Sequence, residues 1–158
     1  MVNKYANWFI WTAAAVLTVT GIAKASGAFG SAQVLGTADP LFGLPFRHLM
    51  LLVSAVELFI ACLCFCVKKR PVLKIALIAW IASSFLVYRL GLWWLDWKHP
   101  CSCLGKLTDT LHISPHSADN LIKVLLAYLL IGSYGLLLNQ WRKTRQVLFE
   151  AKNEKGHA

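Results

Sequence analysis

Charge is what this chain has least of. Only 15% of its 158 residues are Asp, Glu, Lys or Arg, where an ordinary soluble domain carries about 25%. A soluble globule could not cover itself with so little polar surface. Disorder is excluded from the other side, because disordered chains are poor in apolar residues and 58% of this one is hydrophobic. No internal repeat or low-complexity segment is present, and the length suits one domain rather than two. What remains is a membrane protein.

Four stretches carry little or no charge. Tyr5 to Ala23 is 19 residues with none, and Leu49 to Val67 is 19 with only Glu57. Ile75 to Leu95 is 21 with only Arg89, and Val124 to Trp141 is 18 with none. Each approaches the ~20 residues a helix needs to cross a ~30 Å hydrocarbon layer. The runs are too long for strands and lack period-two alternation, whereas helices satisfy their own backbone in lipid. The predicted fold is all-α: a polytopic four-transmembrane-helix bundle with a cysteine-bearing outer loop and a short interfacial helix. The helices are expected at about 5–25, 47–67, 72–96 and 119–141, in one domain over 1–145 with a tail at 146–158. Lys4, the first apolar stretch and the Ala23-Lys24-Ala25 triplet also match a secretory signal, but the stretch exceeds a signal's ~7–15-residue apolar region.

Lys and Arg near the span ends set the expected direction. With the amino terminus cytoplasmic, Lys4, Lys68, Lys69, Arg70, Lys74, Arg142, Lys143 and Arg145 lie inside. Lys24, Arg47, Lys98, Lys106 and Lys123 lie outside, diluted by Asp39, Asp96, Asp109 and Asp119. Trp93, Trp94 and Trp97 read as an aromatic belt at the outer end of span three. The expectation is a multi-pass cell (inner) membrane protein with both termini cytoplasmic. The basic tail reads as a solvated feature of the cytoplasmic leaflet, a short helix or frayed end, and not as a nucleic-acid site.

Two outer connections follow. Ser26 to Pro45 is rich in small residues, with turn signals at Asp39-Pro40 and Leu44-Pro45. Asp96 to Asp119 holds most of the distinctive chemistry. Leu104, Leu107 and Leu111 recur at helical spacing and suggest a surface helix. Ser114-Pro115 suits a cap and first helical residue for span four. Cys101 and Cys103, on the oxidising side, suit a disulfide. A bridge across one intervening residue is awkward and readily reduced, so it suits exchange better than stapling. Lys98, His99, Lys106 and the start of the Leu104 helix place positive potential nearby, which favours a thiolate. Two incidental loop cysteines are the plainer alternative.

Cys62, Cys64 and Cys66, in the inner half of span two, read as small buried apolar residues. Cys62 lies roughly 20 Å along the helix from Arg47, too far for direct thiol exchange with the outer pair. That pair must therefore meet a partner's thiols or an oxidant such as a quinone. Glu57 lies near the middle of span two, where an ionised carboxylate needs a partner; Arg89 and Lys24 are the candidates. Such a pair is either a proton-handling or substrate-contacting site beside the redox loop, or a polar clamp fixing helix packing. Gly21 with Ala25, and Gly132 with Ser133 and Gly135, offer small surfaces for close helix approach. His99, Cys101, Cys103, His112 and His116 together suggest zinc or copper(I). Against this, Pro115 separates His112 from His116, and no second Cys pair supplies structural-zinc spacing, so no metal is expected.

Gly21 and Lys24 closing span one, Glu57 in span two, Cys101-x-Cys103-x-Gly105 after span three and a fourth span behind them occur in order over nearly the whole chain. In this arrangement the chain resembles the MauE group of methylamine-utilisation membrane proteins and the wider DoxX-like family. It departs at Leu104, where the family often has phenylalanine before the glycine. The resemblance implies a four-helix membrane protein associated with redox chemistry. MauE-like proteins are linked to maturation of a disulfide-rich periplasmic methylamine dehydrogenase subunit, and DoxX-like relatives include a quinol-oxidase subunit. A fold hosts many functions, and only Cys101 and Cys103 carry over with a defined chemical role.

The expected function is thiol–disulfide exchange, or disulfide maturation, with an extracytoplasmic thiol-containing or thioredoxin-like partner. The alternative is a non-catalytic subunit or assembly factor of a membrane respiratory or maturation complex, and the third reading is outer-loop metal binding. The bilayer itself is the other expected partner.

Overall fold

The computed structural model describes residues 4–30, 33–67, 70–95 and 115–155, with side chains over 120–146 of the last segment. Four helices carry the chain: α1 Lys4–Ala28, α2 Phe46–Cys66, α3 Pro71–Trp94 and α4 Pro115–Lys155. All four contain a segment long and apolar enough to cross a membrane, that of α4 being Asn120–Gln146. Among the described residues there is no strand, only an isolated antiparallel bridge between Ala38 and Pro45. The expected four-helix membrane bundle is therefore present, with α1 packed chiefly on α2 and α3 chiefly on α4.

Helix ends follow the local chemistry. Pro71 opens α3 at a position where the N–H it lacks would have no helical partner. The first N–H of α2, from Phe46, is taken by the Thr37 carbonyl at 3.0 Å. At the other end of α2, Lys74 Nζ donates to the Cys64 carbonyl at 2.5 Å, filling an acceptor that the last helical turn leaves open. Hydroxyls inside the spans bond back to the preceding turn: Thr18 to Ala14 at 2.8 Å, Ser83 to Ala79 at 2.8 Å and Ser133 to Leu129 at 2.6 Å. Lipid offers them no alternative partner.

Three boundaries differ from expectation. Helix α1 runs on to Ala28, and α4 begins at Pro115, earlier than residue 119. Beyond Trp141, α4 continues to Lys155 without a break, so the tail prolongs the fourth span rather than forming a helix of its own. Stacking of the Arg145 guanidinium 4.2 Å from the Trp141 ring accompanies the continuation.

The core lies along α1. Phe9, Ile10, Ala13, Ala14 and Leu17 pack with Ile60, Ala61 and Cys64 of α2, Ile75, Ile78, Ile81 and Ala82 of α3, and Leu129 of α4. A smaller cluster of Ala28, Leu35, Phe46 and Met50 lies under the first connection. Large apolar side chains such as Trp8, Trp80, Val87, Ile131 and Trp93 point outward instead, a pattern a soluble protein avoids and a lipid-facing bundle requires. Helix α4 is the least enclosed: 11% of its spanning window is buried, against 44% for α1.

What joins α4 to α1 is polar and close. Thr12 Oγ1 and the Tyr128 hydroxyl share a hydrogen bond of 2.6 Å, and the Phe9 and Tyr128 rings meet at 5.5 Å between centroids. Gly132 is where Phe9 enters the α4 surface, since a Cβ there would lie 2.1 Å from the ring. Gly21 likewise faces Leu58 and Glu57, with a virtual Cβ 3.0 Å from Leu58 Cγ. The small-residue surfaces expected at Gly21 and Gly132 are thus used. Gly135 is not, as nothing approaches it within 4 Å.

Gly132→Ala is expected to lower stability by about 1–3 kcal/mol through overpacking, read as an earlier midpoint in detergent-denaturant unfolding. Adding Phe9→Leu should recover most of that loss, whereas Gly135→Ala, which meets open space, should not lower the midpoint.

Candidate functional site

Glu57 is one of the two most enclosed charged residues among those described, 1% exposed, in the middle of α2. It lies 11 residues from Phe46, about 16 Å into the helix at 1.5 Å per residue. Its partner is Lys24, whose Nζ lies 2.5 Å from Oε1. Lys24 starts from one turn before the end of α1, so its four-carbon stem carries the ammonium to a carboxylate seated deeper in the bundle. Of the two partners expected for Glu57, the structure selects Lys24. Arg89 is half-buried on α3, one turn beyond the Phe85 ring that lies 4.9 Å from Lys24 Nζ.

Two neighbours fix this pair, and a third lies beside it. Ser54, one turn before Glu57 and on the same face of α2, donates its hydroxyl to the Gly21 carbonyl at 2.7 Å. Gly21 is one turn before Lys24 and lets α2 come close enough for both contacts. The Thr20 hydroxyl lies alongside the carboxylate but bonds back to the Val16 and Leu17 carbonyls at 3.0 and 3.3 Å. Glu57 Oε2 is left buried with no hydrogen-bond partner. One carboxylate oxygen is therefore neutralised directly while the other remains an unfilled acceptor inside the bundle.

Above the pair lies a folded turn that the sequence marked only as a turn. Asp39 is 1% exposed. Its Oδ1 accepts the Leu41 and Phe42 N–H groups at 2.9 and 3.0 Å, and its Oδ2 accepts the Tyr88 hydroxyl at 2.5 Å. The Asp39 N–H donates to the Leu44 carbonyl and the Gly43 N–H to the Asp39 carbonyl, both at 2.8 Å. Gly43 closes the turn at φ 65, a left-handed conformation that glycine adopts without a Cβ clash. Phe42 stacks on Tyr88, with ring centroids 6.2 Å apart, and Leu41 fills the space opened by Gly91, whose virtual Cβ would be 3.0 Å from Leu41 Cδ2.

Phe85 and Tyr88, one turn apart on α3, thus engage the ion pair and the turn respectively. Asp39, Tyr88, Ser54 and Phe85 were not singled out as site residues from the sequence. The available signal was the order Asp39-Pro40-Leu41-Phe42-Gly43, an acceptor side chain ahead of free N–H groups with a glycine to close.

The cysteines of α2 depart from expectation. Cys64 is buried, but Cys62 and Cys66 are exposed on the outside of α2. A three-residue buried stripe is not possible with i, i+2, i+4 spacing, since a helix turns about 100° per residue. Cys101, Cys103, His99, His112, Trp97 and the interfacial helix expected around Leu104 lie outside the described residues, as does the side chain of His116. Pro115 does begin α4. Among the described residues, no group of three or more His, Cys, Asp or Glu side chains converges to hold a metal.

Comparison with family models, with curated proteins and with solved structures finds no match for this chain.

Lys24→Met should cost about 3–5 kcal/mol by leaving the Glu57 charge buried without its partner. The double substitution Lys24→Met with Glu57→Met should recover most of this, as measured by denaturation in detergent. For the turn, Tyr88→Phe removes one hydrogen bond to a charged acceptor, about 1.5–3 kcal/mol. Faster amide exchange at Leu41, Phe42 and Gly43, with exchange in the middle of α2 unchanged, is the expected readout.

Proposed function

We propose that this chain is a multi-pass inner-membrane redox protein whose Cys101–Cys103 pair exchanges disulfides with an extracytoplasmic thiol-containing or thioredoxin-like protein, as its resemblance to MauE-like proteins implies. The observation that supports this reading is connectivity. Helix α3 ends at Trp94 and α4 starts at Pro115, so the Cys-x-Cys motif belongs to the link between the third and fourth spans. When each span crosses once, that link emerges on the same face as the Asp39 turn. The short basic link Lys68-Lys69-Arg70 then lies on the opposite face, which the distribution of Lys and Arg assigns to the cytoplasm.

The exchange conserves electrons without a cofactor in the step itself. A partner thiolate attacks one sulfur of the Cys101–Cys103 disulfide and releases the other as a thiolate, which takes up a proton. The partner's second thiolate then attacks the mixed disulfide. The partner leaves oxidised by two electrons, and the outer pair is left reduced. Returning it to the disulfide requires a two-electron acceptor, such as a quinone at the outer membrane face. Running the steps backwards reduces the partner instead.

A second reading rests on α4, whose spanning window is so little enclosed. A non-catalytic subunit of a larger membrane complex would use that face against neighbouring helices.

Replacing Cys101 or Cys103 with serine should shift the thiols of extracytoplasmic partners away from their normal redox state. Where the exchange runs towards reduction of the partner, the variant that keeps the attacking cysteine should also hold a mixed disulfide formed on the partner's disulfide, visible as a reducible band of higher mass. An unaltered thiol state together with no trapped species would reject the exchange reading. Copurification with a larger complex irrespective of those serines would favour the second.

A further inference from the structure

The end of α2 remote from the Asp39 turn carries chemistry that neither the ion pair nor the outer motif uses. Cys62 and Cys66 are one helical turn apart, both exposed, with their sulfurs 3.7 Å from each other. Cys64, between them in sequence, turns the other way and is 3% exposed. Four residues are the spacing at which side chains on one helix face meet, so the two thiols form a chelating pair on a rigid backbone. The separation has a chemical meaning. Two sulfurs bound to one metal at about 2.3 Å each lie about 3.8 Å apart at a tetrahedral angle, and up to about 4.6 Å apart when the angle opens to linear. The observed 3.7 Å lies about 0.1 Å short of that range, and rotations of two surface side chains reach it.

The surroundings narrow the choice of metal. Zinc requires four ligands, yet no third His, Cys, Asp or Glu joins the pair among the described residues. A soft cation that accepts two thiolates alone does fit, and thiolates select copper(I) among biological metals. Charge fits as well. Binding releases both thiol protons and leaves a complex of one net negative charge, with no change of oxidation state. Lys74 reaches this turn of α2, its ammonium 2.5 Å from the Cys64 carbonyl, and the Lys68-Lys69-Arg70 run follows within four residues of Cys66.

We propose that Cys62 and Cys66 form a two-thiolate site for copper(I) on the lipid-facing surface of α2, where the span meets its basic connection to α3. The site stands independently of the outer pair. The test therefore uses the full chain carrying Cys101→Ser and Cys103→Ser, purified in detergent under reducing, oxygen-free conditions and titrated with copper(I) held by a colorimetric chelator.

One copper per chain should be withdrawn from the chelator, with X-ray absorption showing coordination by sulfur alone. Loss of a single outer-shell contact weakens metal binding about 10–100-fold, so Cys62→Ser or Cys66→Ser, each removing a ligand, should weaken it at least that much. Cys64→Ser should bind as before. In membranes containing the same chain without further substitution, copper(I) should slow alkylation of Cys62 and Cys66 by a membrane-permeant maleimide and leave Cys64 unaffected. This second measurement does not depend on how well any serine variant folds. Failure to withdraw copper, binding that survives both serine substitutions, or alkylation indifferent to copper would each overturn the proposal.

Discussion

An ammonium and a carboxylate held together in the apolar middle of a membrane bundle set the terms for everything near them. Either charge alone would be costly at that depth, so Lys24 and Glu57 tolerate only small departures from contact. That requirement explains why α1 and α2 are the most intimately packed pair. Gly21 removes the side chain that would hold the helices apart, and Ser54 uses the proximity to bond the Gly21 carbonyl across the interface. The Phe85 ring on the third side presents its π face to the ammonium, which is attractive in a medium without competing water. A buried ion pair is weak support for stability in itself. Its stronger effect is on specificity, because slipping α1 against α2 by a turn would separate the charges and leave both unpaired.

The same helix that supplies Phe85 supplies Tyr88, and this ties the first connection to the bundle. Asp39 distributes its carboxylate between two backbone N–H groups of its own turn and one phenol from α3. Among the described residues no positive side chain pairs with it, and these donors solvate the charge. The turn is consequently a fixed roof on the half of the bundle that contains the ion pair. Its attachment to α3 lies two turns or less from the point where α3 ends.

Much of this was legible in the sequence, and the reasons are physical. Span number and type follow from length and missing charge, because lipid allows few solutions. Glu57 drew notice because a carboxylate in an apolar run has to be matched, and Lys24 was one of two cations within plausible reach. Choosing between Lys24 and Arg89 needed the rotation of α3 about its axis, which sequence periodicity barely constrains in a helix apolar on all sides. Asp39 was harder to see. In a chain read as membrane-spanning, an acidic residue in a Gly-rich connection looks like a solvated loop charge, and only the fold reveals that Tyr88 reaches it. The exposure of Cys62 and Cys66 was missed for a related reason: in a lipid-facing helix, small apolar character does not distinguish the inside from the outside.

These constraints bear on how the intramembrane charges relate to the proposed thiol chemistry. Cys62 is 16 residues along α2 from Phe46, about 24 Å from the roofed end, so its thiol cannot exchange directly with a sulfur held at that end. Glu57 sits between the two regions, but it is enclosed by Lys24, Ser54 and α1 rather than open to a continuous polar path among the described residues. The charges are thus better placed to hold geometry than to pass protons or electrons. Disulfide exchange demands that the attacking sulfur align with the bond it breaks. A motif displayed from the end of α3 inherits whatever precision that end has. Phe85 and Tyr88 tie α3 to the ion pair and to the Asp39 turn near the end from which the link to α4 departs, so any bearing of Glu57 on the proposed chemistry would be through position.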